Sequence, residues 1–74
     1  KMKCKCKIKG LDCANCAAEL ERTIQKIEGV TMATISLMAE RMELEYDENR
    51  KDEIIKEVIK VIKKEEPDVE IEML

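Results

Sequence analysis

From one end the chain alternates without a break. Met2, Cys4, Cys6 and Ile8 fall on one side, and Lys1, Lys3, Lys5, Lys7 and Lys9 on the other. A repeat of two over this length predicts a strand with one buried face. Gly10-Leu11-Asp12 reads as a loop, and the period then changes. From about Cys13 or Ala14 to about Ile27 the apolar residues Ala17, Leu20, Ile24 and Ile27 recur at helical spacing. Gly29 supplies the expected left-handed stop. Alternation returns over 30–37, with Ala33, Ile35 and Leu37 inward. After a turn at 38–40 made of weak turn residues, it resumes over 41–46, with Met42, Leu44 and Tyr46 inward. Asp52 is placed to cap a second helix that runs to about Lys64 and carries a stripe of Ile54, Ile55, Val58, Val61 and Ile62. Glu66-Pro67-Asp68 breaks the chain. A last strand over 69–73 turns Val69, Ile71 and Met73 inward.

The predicted order is βαββαβ, an α+β arrangement of the ferredoxin-like type. Two helices cover one face of a four-stranded antiparallel sheet and leave the other face wet, as period-two strands require. The first strand is central in this topology, between the third and the fourth. Its outward lysines then meet Glu43 and Glu45 on one side and Glu70 and Glu72 on the other, so the charge pattern has a local structural purpose.

Composition narrows the function. Seventy-four residues make one domain, and a core this small gains from any ion that binds only the folded form. Tyr46 is the sole aromatic residue and there is no His, Trp or Phe, which removes stacking platforms for nucleic acid. A net charge of −3 is likewise a poor footprint for a nucleic-acid binder. No apolar run reaches membrane-spanning length and no signal peptide is visible. The chain opens at Lys1 and not Met, which reads as a processed or excised segment whose parent carries a membrane portion elsewhere.

All four cysteines lie in the first sixteen residues. Clustered thiols in a chain without a leader point to cytosolic metal or redox chemistry and not to a disulfide frame. Cys13 and Cys16 stand three apart at a loop-to-helix junction, where the helix N-terminus favours thiolates. Two thiolates alone suit linear Cu(I). Asp12, directly before Cys13, offers a third and harder donor, which shifts the expectation to a four-coordinate divalent ion such as Zn(II). The fourth position is left to water, a nearby side chain or the next recipient. The same Asp12 carboxylate is also suited to capping the helix.

Strand, Gly-x-x-Cys-x-x-Cys loop, helix ending at Gly29-Val30 and the later βαβ together resemble the heavy-metal-associated domains of heavy-metal-transporting P-type ATPases and of free copper chaperones. The resemblance covers the whole chain and implies metal ligation by Cys13 and Cys16. The copper branch usually reads Gly-Met-Thr-Cys-x-x-Cys, and Leu11 and Asp12 replace the Met and Thr here. Asp-Cys-x-x-Cys looks like the zinc-, cadmium- and lead-exporting branch, in which the Asp joins the ligands. Glu65, Glu66, Pro67 and Asp68 stand where copper members commonly carry Lys, Tyr or Phe. The resemblance therefore implies Zn(II), Cd(II) or Pb(II) as cargo, with Cu(I) as the alternative. It also implies a parent ATPase whose membrane domain is the partner, on the cytoplasmic side of the membrane. The segment itself carries no phosphorylation or nucleotide motif, so it is expected not to be an enzyme. It is expected to be a monomer that a shared ion could bridge into a dimer.

Other readings compete at particular residues. A Cys-x-x-Cys pair also serves thiol-disulfide oxidoreductases, but these carry a different strand order and place a proline beside the cysteines, whereas Pro67 is remote in sequence. Cys4 and Cys6 face inward and read as small core residues, with a second, weaker thiol site as the alternative. Met32 and Met38 read as filler. Glu65 and Glu66 lie in a loop expected near the metal loop, where a further carboxylate donor is conceivable.

Overall fold

A computed structural model describes residues 2–73; Lys1, assigned by the alternation to the outward lysines, lies outside them. Strand β1 spans Met2–Lys9, helix α1 Ala14–Gln25, β2 Val30–Ser36, β3 Arg41–Tyr46, α2 Lys51–Glu65 and β4 Glu70–Met73. The sheet order is β2-β3-β1-β4, antiparallel throughout, so the first strand is central as the βαββαβ order led us to expect. The outward lysines meet the expected partners: Lys3 faces Glu45, Lys5 faces Glu43, Lys7 faces Glu72 and Lys9 faces Glu70. Lys7 faces Arg41 on its other side, the one like-charge pairing in that row. The Lys5 Nζ lies 3.8 Å from a Glu43 carboxylate oxygen, and both side chains are more than half exposed. A pair of that kind contributes at most about 1 kcal/mol.

The core is one cluster between the inner sheet face and both helices. Cys6, Ile8, Met42, Leu44 and Tyr46 rise from the sheet to meet Ala17, Leu20 and Ile24 of α1 and Ile54, Val58 and Ile62 of α2. These are the stripes that the periodicity marked. Helix α1 ends two residues earlier than its apolar pattern suggests. Its last turn tightens, Lys26 N donating to Thr23 O and Ile27 N to Ile24 O, which spends Ile27 on the turn. Gly29 then takes φ +97°, and a Cβ there would sit 2.7 Å from Ile54 Cδ1.

Asp52 does not cap α2. A 3₁₀ turn, Glu48–Arg50, leads into the helix, and Asp47 caps it by accepting from Asn49 N at 3.0 Å. The helix starts at Lys51, which puts Asp52 and Glu53 inside the first turn, where they still complement the helix dipole. The weak turn between β2 and β3 is closed by Glu40 at φ +52°, a left-handed position usually given to Gly or Asn. Ser36 Oγ accepts from Ala39 N there, and Glu40 O accepts from Ile8 N. At the far edge, the Glu21 carboxylate of α1 accepts from Ile35 N and Gln25 Nε2 donates to Ala33 O, so α1 side chains cover the outer rim of β2. No helix among the described residues is long and apolar enough to cross a membrane.

Candidate metal centre

The loop from β1 to α1 is shaped by what precedes the cysteines. Gly10 has φ +93°, and a Cβ there would stand 3.2 Å from the Asp68 carbonyl oxygen and 3.6 Å from Val69 Cα. Only glycine lets this loop lie against the 66–69 loop in that conformation. Leu11 is buried and anchors the next step, so the chain emerges at Asp12 and Cys13 with its position fixed.

Cys13 takes extended angles, φ −118° and ψ 118°, and is itself the N-cap of α1. Its carbonyl accepts the first helical bond from Ala17 N at 3.0 Å, and its sulfur accepts from Cys16 N at 3.3 Å. A thiolate here fills the capping role that a Ser or Asp oxygen would otherwise take. Asp12 therefore lies one residue outside the cap, with its side chain exposed, and its expected capping role falls to Cys13. Both cysteines are free and half-buried, while Ala14 and Asn15 between them are exposed.

The two thiols are unequal. Cys13 is held below the usual thiol range, first by a hydrogen bond from the Cys16 side chain and then by the Cys16 backbone N–H. The Asn15 N–H acts in the same sense, against partial desolvation and the negative charge of Glu66. Cys16 is pushed up to about 11, because it donates to Cys13, loses solvent and feels the charges of Cys13, Glu66 and Glu19. The helix terminus thus favours a thiolate at Cys13 and leaves the proton on Cys16, whereas the sequence argument expected both thiols to be lowered.

Of the three candidate ligands, the structure brings Cys13 and Cys16 together and does not add Asp12 to them. Among the described residues no three His, Cys, Asp or Glu side chains converge so as to hold an ion. Glu66, half-buried after α2, does come near, since its charge reaches both sulfurs as the position of its loop predicted. Cys6 is buried in the core, and Cys4 is half-buried against it. The asymmetry of the pair and the cap made by Cys13 were not anticipated. Their signal was already in the sequence: the first cysteine stands where a cap residue belongs.

Known proteins are similar to this chain in sequence and in fold. The heavy-metal-associated domain family matches residues 5–68. Over 45 residues, 61% of this chain, it is 44% identical to the human protein named copper-transporting ATPase 2, of which it spans 3%. Over 51 residues, 69% of the chain, it is 35% identical to a probable copper-importing P-type ATPase A of Enterococcus hirae, of which it spans 7%. Among solved structures, the N-terminal domain of a potential copper-translocating P-type ATPase from Bacillus subtilis, in its Cu(I)-loaded state, superposes with a TM-score of 0.71. That match has 26% identity and covers 96% of this chain and 84% of the other. The relatives' names carry copper, and none of these three carries the zinc, cadmium or lead that Asp12 led us to expect. The chain belongs to the heavy-metal-associated domain family.

Proposed function

We propose that Cys13 and Cys16 hold one Cu(I) ion between their sulfurs, as cargo, in a domain that serves a copper-translocating P-type ATPase on the cytoplasmic side of its membrane. The observation that carries this reading is the pair itself: two thiols joined at the mouth of α1, with no third His, Cys, Asp or Glu side chain converging on them to hold an ion among the described residues. Soft sulfur in low coordination number suits Cu(I). The names of the relatives point the same way.

The pair also suits delivery. Ala14 and Asn15 are exposed and both sulfurs are only half-buried, so an incoming thiolate can reach the ion. Exchange then proceeds through a shared-ion intermediate. The domain binds and orients the ion; pumping and ATP hydrolysis belong to the rest of the larger protein.

A second reading has specific support. The exposed Asp12 carboxylate is adjacent to Cys13, and Glu66 already biases both sulfurs electrostatically. A divalent ion, Zn(II), Cd(II) or Pb(II), could draw both carboxylates in. Titration of the reduced protein separates the two. The Cu(I) reading expects tight Cu(I) binding that Asp12→Ala changes by less than about threefold and Cys13→Ser removes. If Zn(II) or Cd(II) binds strongly and loses more than about tenfold in Asp12→Ala, the divalent reading replaces it.

A further inference from the structure

The molecule gathers a second set of soft donors away from the loop. Strand register puts Cys6 opposite Met42 on β3 and opposite Met73 on β4. Across the β1–β4 pair, Cys6 Sγ and Met73 Sδ are 3.3 Å apart. Cys4 is the next residue on the same face of β1 and is also a free thiol. Tyr46 closes the group from β3. It is completely buried, and its hydroxyl has no hydrogen-bond partner among the described residues. The side chains that act on that hydroxyl, after burial itself, are Cys4 and then Cys6.

Two thiols and a thioether around an orphaned hydroxyl are not explained by core packing. A cysteine that serves only as a small apolar residue needs no sulfur contact. A buried O–H without an acceptor is also a cost that native cores avoid. A thiolate at Cys4 would give that hydroxyl its acceptor. The group is reachable from outside, because Cys4 is only half-buried and Met73 is 42% exposed.

We infer that Cys4, Cys6 and Met73 form a second soft-metal site, which takes one Cu(I) ion between two thiolates and a thioether, with the Tyr46 hydroxyl donating to the Cys4 sulfur. Thioether ligation selects Cu(I) and is foreign to Zn(II), which takes thiolate, imidazole and carboxylate. On loading, two S–H bonds are lost and three Cu–S bonds form, two to thiolates and one to the Met73 thioether. Two protons pass to solvent, and no electron is transferred. Four residues of strand separate Cys6 from Gly10, about 13 Å, so one ion cannot serve both places. The inference stands on its own donors and holds whichever ion the Cys13–Cys16 pair carries.

The test uses the reduced full chain carrying both Cys13→Ser and Cys16→Ser, challenged anaerobically with the Cu(I)–bicinchoninate complex. One Cu(I) per chain is expected to be retained, with quenching of fluorescence from Tyr46, the chain's single aromatic residue. Amide shifts are expected at Cys4, Cys6, Tyr46 and Met73 and not across 10–17. Adding Cys4→Ser should abolish retention, and adding Met73→Leu should weaken it by about tenfold or more. Both positions are partly exposed, so an unchanged amide spectrum in the copper-free variants checks that the fold is intact. Cys4→Ser alone should still bind one ion at the loop, which keeps a failure here distinct from a failure of the loop reading. The inference is overturned if the double-serine chain keeps no Cu(I), if retention survives Cys4→Ser, or if half an ion binds per chain.

Discussion

The unequal thiols of the metal loop fix how many protons an incoming ion must displace. Cys13 sits below the usual thiol value of 9.0, and Cys16 is pushed up to about 11. Between those values the empty pair carries one proton, on Cys16. A Cu(I) ion held by two thiolates therefore releases one proton, and apparent affinity rises about tenfold per pH unit. Above about pH 11 the dependence flattens, because no proton remains to be displaced. Below the pKa of Cys13 it steepens toward two protons per ion. The sign follows from competition: protons and Cu(I) seek the same sulfurs, so raising pH favours the ion. Glu66→Gln removes a charge that raises both thiols, so the flattening should move to lower pH. The assay is Cu(I) competition against bicinchoninate across pH 8 to about 11.5, with proton release read by indicator dye in weak buffer. Cys4→Ser serves as the starting protein, so that only the loop is counted. Two protons per ion at about pH 9.5, or none, would refute the described pairing of a Cys13 thiolate with a Cys16 thiol.

Further outcomes follow from the same geometry. Gly10→Ala forces a side chain into φ +93° against the Asp68 carbonyl, and should cost about 1–3 kcal/mol in urea unfolding while weakening Cu(I) binding at the loop. Gly29→Ala drives a methyl to 2.7 Å from Ile54 Cδ1, and should cost about 2 kcal/mol or more without changing the affinity of any protein that remains folded. Leu44→Ala deletes a completely buried side chain under both helices and should cost roughly 2–5 kcal/mol by thermal or urea unfolding. Cys6 is pushed up to about 12 by burial, with Cys4 adding to it, so the folded chain keeps that proton where the unfolded chain loses it. Its contribution is whole below pH 9 and is lost as pH rises toward 12, and Cys6→Ala should flatten that decline in unfolding curves.

Strand and helix positions were legible in the sequence because each element buries one face. Cys6 and Ile8 of β1 and the stripe of Ala17, Leu20 and Ile24 lie in the core, while Cys4 is half-buried and Met2, at the start of the same alternation, is exposed. The central place of β1 followed from the ferredoxin-like element order, and the pairing of its lysines with the glutamates of its neighbours followed from that place. Local end effects were harder to read. Asp52 looks like a cap in isolation, but Asp47 captures Asn49 N first and the helix begins one residue before Asp52. Asp12 and Cys13 are adjacent and both suit a cap. The buried Leu11 and the left-handed Gly10 decide between them by setting where the chain turns. The inward direction of Cys4 and Cys6 was readable, but their company was not. The contact with Met73 depends on the β1–β4 register, and the stranded Tyr46 hydroxyl depends on how three strands pack.

The clasp of Glu21 and Gln25 on β2 has a consequence for crowding. An open strand margin with idle amides and carbonyls invites a neighbour to zip on, and such zipping spreads into aggregates. Here the amide of Ile35 and the carbonyl of Ala33 are already occupied by the chain's own helix. A second copy arriving in a crowded solution would therefore find these two groups already taken, and strand-to-strand growth along this margin is opposed.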